Sequence, residues 1–217
     1  MNTKTTLISL VAGLALIGAL YGVYTLVSGG PDDALIAQVR DGRPAHQTVW
    51  NTKASHTLTV FSDYECPACK LFHDYLNTFE ASSSPELAIT KHVALVFRYY
   101  PLYQIHPLAM DLAYAAEAGA RQGKFKEISD RFFADQTQLE SMSDAKSYIQ
   151  QVAKDLGLDV KKFNDDLQDK ALQGVIQSDL ALGDKLGINA TPTFFLDGKQ
   201  LDSMAPLDLL TLLKSVK

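Results

Sequence analysis

Apolar and polar positions divide this chain into a long apolar run near its start, a few short apolar stretches of strand length, and many amphipathic segments between them. Leu58, Val60 and Phe61 form one of the short stretches, and Leu71, Phe72, Tyr75, Leu76 and Phe79 then recur at helical spacing. The pattern predicts a strand at 57–62, a short loop, and a helix running to about Phe79. Gln47-Thr48-Val49-Trp50 is expected to form a first edge strand, turned by Asn51-Thr52-Lys53, with Trp50 in packing. Ser82-Ser83-Ser84-Pro85 reads as a loop, and His92 to Arg98 as a buried strand ended by Pro101. Strand, helix, strand is a βαβ unit, whose crossover is right-handed.

A long helical region follows. Pro107 to Gln122 ends at Gly123, and Lys124 to Ala134 is a second helix. Asp144 to Leu156 is a third, capped by Asp144 and stopped by Gly157. Asp159 to Leu186 holds one or two more, with a break expected near Gly174. Thr193 to Leu196 reads as a strand, Asp197-Gly198 as a hairpin turn, and Lys199 to Leu201 as its antiparallel return. Pro206 opens the last helix, whose expected apolar face is Leu207, Leu210 and Leu213 with Leu209 and Val216.

The N-terminal run from Leu7 to Val27 carries no charge. Its length matches the roughly 20 residues that cross a bilayer, whereas a signal peptide's apolar core is about 7–15. It therefore reads as an uncleaved transmembrane signal anchor. Lys4 precedes it and Asp32 and Asp33 follow it, so residues 1–6 are expected in the cytoplasm and the rest exported. Tyr21 and Tyr24 fall near the outer end, where aromatic rings favour the interface. Residues 28–44 form a linker that opens on the breaker-rich Ser28-Gly29-Gly30-Pro31, and 34–44 are a short helix or spacer. With 217 residues, 47% of them apolar, the remainder suffices for one domain with a sizeable core over 45–217. A net charge of −5 and the lack of any basic run leave no footprint for nucleic acid.

The two cysteines of the chain, Cys66 and Cys69, sit three apart at the predicted start of the helix after the first strand. Unpaired N–H groups and the positive end of the helix dipole stabilise a thiolate there, so Cys66 should ionise below the free value of about 8.5. Pro67 suits the first helical turn, where a missing N–H costs little. Cys69, in register with Phe72, Leu76 and Phe79, is expected on the buried side and Cys66 at the exposed tip. That division lets Cys66 make mixed disulfides and Cys69 resolve them. Structural zinc needs more thiol or imidazole ligands than two cysteines, and the histidines show no ligand spacing, so no metal is expected. A bridge closing so short a loop restricts the unfolded chain little, which argues against a purely structural disulfide. Glu65 and Lys70 flank the pair as possible tuning charges of opposite sign, with Asp63 nearby. His106 reads as a turn or capping residue and His73 as a surface residue. Tyr99, Tyr100 and Tyr103 fit either a peptide groove or the core.

Cys66-Pro67-Ala68-Cys69 after a strand resembles the thioredoxin superfamily. Three further stretches resemble its DsbA-like branch: Arg98-Tyr99-Tyr100-Pro101-Leu102 with Ile105-His106-Pro107, Gly123-Lys124-Phe125, and Ala190-Thr191-Pro192-Thr193-Phe194-Phe195. Ala68 stands where the best-known oxidase motif of that branch, Cys-Pro-His-Cys, has histidine. The resemblance implies an α/β thioredoxin-like fold with an inserted α-helical domain at about 107–186. It implies a cis peptide before Pro192, with Thr191 facing the sulfurs and offering backbone to an extended substrate. It also implies a disulfide oxidase of exported polypeptides, whose Cys66–Cys69 disulfide accepts a substrate thiolate at Cys66. No cofactor beyond that disulfide is implied, and a DsbB-like or VKOR-type membrane enzyme would reoxidise the pair. A reductase or isomerase of the same fold, and a peptide-binding or chaperone-like module with an incidental dithiol, are the alternatives.

Overall fold

The computed structural model describes residues 17, 19, 33–40, 53–81, 88–202 and 205–215. The chain divides into two compact units, Met1–Ala34 and Leu35–Lys217. Among the described residues no helix is long and apolar enough to cross a membrane. The expected anchor at 7–27 lies, apart from Ile17 and Ala19, outside the described residues, as does the expected strand at 47–50.

The described strands of Leu35–Lys217 form one sheet. β1 (Thr57–Ser62) runs parallel to β2 (Ala94–Tyr99), with Thr57 opposite Ala94 and Ser62 opposite Tyr99. β3 (Thr193–Leu196) lies antiparallel on the other side of β1, with Phe61 opposite Thr193. β4 (Lys199–Gln200) completes the order β2-β1-β3-β4. Asp197 and Gly198 both take positive φ, at 51° and 85°, as a two-residue hairpin turn requires. The register brings three loops to one end of the sheet: the one leaving Ser62, the one leaving Tyr99 and the one entering Thr193. Every element of the candidate site hangs from that end.

β1 and β2 are buried on both faces, and side chains of β1 and β3 alternate between two clusters, while β4 is exposed. Leu58 and Val60 of β1, Leu95, Phe97 and Tyr99 of β2 and Phe194 of β3 join one cluster. It contains helix α2 (Pro67–Glu80) and most of the helices between β2 and β3. Phe61 and Phe195 face the other way, with Tyr100, Leu182, Ile188 and Val39. Val39 belongs to α1 (Asp33–Arg40), so part of the 28–44 linker is a helix with one side in the core. Thr59 Oγ1 donates to Val39 O at 3.0 Å, which fixes that helix to β1.

The segment between β2 and β3 is helical, as expected. It holds α3 (Ala109–Ala120), α4 (Phe125–Ala134), α5 (Gln136–Leu139), α6 (Lys146–Asp155), α7 (Val160–Leu167) and α8 (Lys170–Lys185). The expected break near Gly174 is not there: α8 runs through it. The chain breaks at Asp169 instead, whose carboxylate accepts from Ala171 N and starts a new helix. Asp179 of α8 pairs with Arg98 at 2.9 Å and accepts the Tyr99 N–H at 3.1 Å, so β2 is tied down by a buried carboxylate. The last helix, α9 (Pro206–Ser215), buries Leu209, Leu210 and Leu213 but leaves Leu207 exposed, against expectation. Leu71 of α2 is likewise exposed.

Candidate active site

Cys66 is the N-cap of α2, in extended backbone at φ −76° and ψ 121°, with Pro67 opening the helix. Its N–H donates to Asp63 O at 3.2 Å, which curls residues 63–66 into a tight turn. Its carbonyl accepts the first helical bond, from Lys70 N at 3.1 Å. The Cys66 thiol donates to Thr191 O at 3.2 Å. The peptide between Thr191 and Pro192 is cis. Sequence placed Cys66 at an exposed tip; it is buried, at 7% exposure, because the 190–192 loop covers it. Pro67 and Ala68 are the exposed residues of the motif. Cys69 lies deeper, at 1%. Both thiols are free.

The two sulfurs differ sharply in acidity. Contact with the Cys69 thiol, helped by the Thr191 hydroxyl and the N–H groups of Cys69 and Ala68, outweighs burial and lowers Cys66 to about 5. Burial pushes Cys69 well above the ordinary thiol range, and the neighbouring Cys66 pushes it further. Asp63 N donates to Cys69 Sγ at 3.5 Å. Thr191 Oγ1 is buried and has no hydrogen-bond partner. A hydroxyl so placed gains an acceptor when Cys66 loses its proton, which is how it favours the thiolate.

The flanking charges have other work. Glu65 carboxylate accepts the Leu108 N–H at 2.7 Å, at the start of α3, where a negative charge meets unpaired N–H groups. Burial raises its carboxyl. Lys70 pairs with Asp74 one turn along the exposed side of α2, at 2.7 Å. Neither side chain hydrogen-bonds a sulfur: Glu65 is held at the start of α3 and Lys70 by Asp74. Asp63, read from sequence as a flanking charge, is the hub: its carboxylate is wholly buried and accepts from Glu65 N, Leu102 N and the His106 ring. His106 is thus a pairing residue for the turn, as expected. His73 is not at the surface. It shares the buried face of α2 with Cys69, its ring 4.5 Å from that of Phe133 and its Nε2 2.9 Å from Asp130.

Sequence reasoning missed Gln136, whose amide donates to Tyr64 O at 2.8 Å and Cys66 O at 3.1 Å. No local pattern marks it, since it lies 70 residues beyond Cys66. The tyrosines divide. Tyr99 is core, with its hydroxyl on Glu117, while Tyr100 and the exposed Tyr103 line a cavity of about 460 Å³ with Met110 and Leu180. A second groove, of about 380 Å³, runs beside the dithiol between Ala68, Leu71 and Phe72 of α2, residues 189–194, and Pro206 and Leu209 of α9. Its wall is mostly apolar and includes Thr191 and Pro192. Among the described residues no group of histidine, cysteine and carboxylate side chains could hold a metal ion.

Solved structures share this architecture. A thioredoxin-like oxidoreductase from Silicibacter pomeroyi DSS-3 superposes with a TM-score of 0.60 at 22% identity, over 85% of this chain and 96% of that one. The thiol-disulfide exchange protein alpha-DsbA2 from Wolbachia pipientis gives 0.63 at 19% identity, over 85% and 93%. Among curated sequences, a Na(+)/H(+) antiporter NhaA 1 from Mycobacterium sp. (strain KMS) is 29% identical over 97% of this chain. The chain spans only 33% of that relative's length. Residues 44–215 match the family model described as thioredoxin, and the chain therefore belongs to the thioredoxin family.

Proposed function

We propose that this chain is a membrane-anchored, extracytoplasmic thiol-disulfide oxidoreductase that introduces disulfides into exported polypeptides. The observation that carries the redox reading is the placement of the pair: Cys66 caps α2 with its thiol 3.2 Å from Thr191 O beside a cis peptide and is made more acidic, while Cys69 lies buried one turn on and is made less so. A cysteine that ionises so readily stabilises the dithiol at neutral pH, and its disulfide is correspondingly oxidising. In the forward reaction a substrate thiolate attacks Cys66 Sγ and the Cys66–Cys69 bond breaks. Cys69 departs with the electron pair and takes a proton. A second substrate thiolate then attacks the substrate sulfur of the mixed disulfide and releases Cys66 as thiolate. Two substrate thiols become one disulfide: two electrons and one proton pass to the protein, as a Cys66 thiolate and a Cys69 thiol, and the second proton goes to water. A quinone-linked membrane enzyme of the DsbB or VKOR type would reoxidise the pair.

The apolar groove beside Cys66 supports a polypeptide substrate, with Leu71 exposed on its wall. The uncharged segment from Leu7 to Val27 supports the anchor and the export of the domain. Antiporter-named relatives that contain a stretch like this chain fit a domain working beside a membrane. The reading is tested by equilibrating the Cys66–Cys69 pair against glutathione buffers. A potential well above the glutathione poise is expected. A potential well below it would replace the oxidase by a reductase of the same fold.

A further inference from the structure

Gln136 meets the redox turn from the inserted helices. Its side chain is buried, and both protons of its amide nitrogen are spent on backbone carbonyls, those of Tyr64 and Cys66. The amide can sit only this way round: flipped, its oxygen would face two carbonyl oxygens. Cys66 O also accepts from Lys70 N, so the carbonyl of the reactive residue is gripped twice, by its own helix and by a side chain from α5. The contact is reinforced next door. Tyr64 packs against the rings of Phe132 and Phe133 on α4, and its hydroxyl lies 2.8 Å from Ser129 Oγ.

We infer that Gln136 is a positioning residue for the dithiol. By fixing the carbonyls of Tyr64 and Cys66, it holds the Cys66 sulfur over the N–H groups of Ala68 and Cys69 and couples the inserted helices to the redox centre. The inference deepens the redox reading of the pair and rests on it. Without the amide, Tyr64 O loses the Gln136 donor and Cys66 O keeps only that of Lys70 N, so the turn relaxes toward other partners. The thiolate then loses alignment with the N–H groups that stabilise it.

The test uses the full chain as Gln136→Met, which keeps shape and removes both donors, and as Gln136→Glu, which sets a carboxylate against the carbonyls. The Cys66 ionisation midpoint is read from the pH dependence of alkylation, and the dithiol–disulfide balance from glutathione buffers. Gln136→Met should raise the midpoint by about half to one pH unit and lower the oxidising equilibrium constant about three- to tenfold. Gln136→Glu should shift both further. Midpoints equal to wild type alongside a lowered Tm would reduce Gln136 to packing and overturn the inference. Should neither variant fold, the wild-type side-chain amide decides. Its NMR signals should move between disulfide and dithiol, and signals that stay put overturn the coupling. Alkylation needs no exchange with glutathione, so failure of the oxidase reading leaves the comparison of midpoints intact.

Discussion

Asp63 Oδ2 lies 2.7 Å from His106 Nδ1 and 2.7 Å from the backbone nitrogen of Leu102. With Oδ1 on Glu65 N, one carboxylate at the end of β1 holds both the turn that carries Cys66 and the loop that leaves β2. The carboxylate is inaccessible to water. Replacing it strands donors that nothing else can reach. Asp63→Ala should cost about 2–4 kcal/mol in urea unfolding, since it leaves the Glu65 and Leu102 N–H groups and the His106 ring without their acceptor. His106→Asn, which can still offer a donor near the position of Nδ1, should cost less than His106→Leu. Equal losses for the two His106 variants would mean that the ring's packing, and not its hydrogen bond, secures the turn.

Stability of the dithiol should depend on pH in a way the disulfide form does not. The folded Cys66 thiol ionises at about 5, whereas in the unfolded chain it ionises near 8.5. Between those values the unfolded state binds more protons, so the unfolding free energy rises with pH, by up to about 1.4 kcal/mol per unit. The contribution is full above the unfolded value and lost as pH falls through about 5. Cys69, raised in the fold, acts oppositely and only at high pH, once an unfolded thiol would ionise. Urea titrations of both redox forms at pH 4, 6 and 8 check this. A dithiol no more pH-sensitive than the disulfide would mean that Cys66 keeps an ordinary thiol acidity.

Gly183 of α8 is a packing glycine. A Cβ added there would fall 2.3 Å from Cε2 of Tyr100. That ring cannot retreat easily, because its hydroxyl lies 2.7 Å from Ile188 O and 2.9 Å from Asp184 Oδ1, two acceptors that share its one proton. Gly183→Ala should therefore destabilise by about 1–3 kcal/mol, or more if the ring is forced off its rotamer. Gly174, on the same helix, has open space around it. Gly174→Ala should stabilise by about 0.5–1 kcal/mol through helix propensity alone. Thermal unfolding of the pair gives the contrast, and a shift of the same sign for both would defeat it.

What could be read along the chain was local. The strand, turn and helix at 57–80 are spelled by apolar spacing over neighbouring residues, and Cys69 belongs to the buried stripe with Phe72 and Leu76. The same spacing places His73, four residues after Cys69, on that stripe, but its polarity suggested water. The helices inserted after β2 cover it, and Asp130 supplies the partner. Glu65 looked like a tuning charge because it adjoins Cys66; its true neighbour, Leu108, lies 43 residues on. The break assigned to Gly174 followed propensity, yet a capping aspartate at 169 outweighed it. Leu207, placed on the apolar face of the last helix, is exposed, and so is Leu71, which lies off the stripe of Cys69, Phe72 and Leu76. Leu71 lines the groove beside the dithiol.

The hydroxyl of Thr191 supplies the sharpest chemical test, since one atom should act with opposite signs on stability and on acidity. Thr191 Oγ1 is buried and unpartnered while Cys66 carries its proton, which costs about 1–3 kcal/mol of desolvation. Thr191→Val removes that cost with little change in shape and leaves Thr191's carbonyl in place to accept from the Cys66 thiol. At pH 4, where the thiol is protonated, the variant dithiol should therefore be as stable as wild type or more so. At pH 7 the thiolate has lost a donor, so the Cys66 midpoint should rise by about one unit from its value near 5. A midpoint of that size higher makes the dithiol less favourable by roughly a factor of ten, or about 30 mV for a two-electron couple. Alkylation profiles and glutathione equilibria measure these shifts, and urea unfolding at pH 4 measures the first. A variant that lost stability at pH 4 while its midpoint stayed fixed would show that the hydroxyl is bonded to something other than the thiolate.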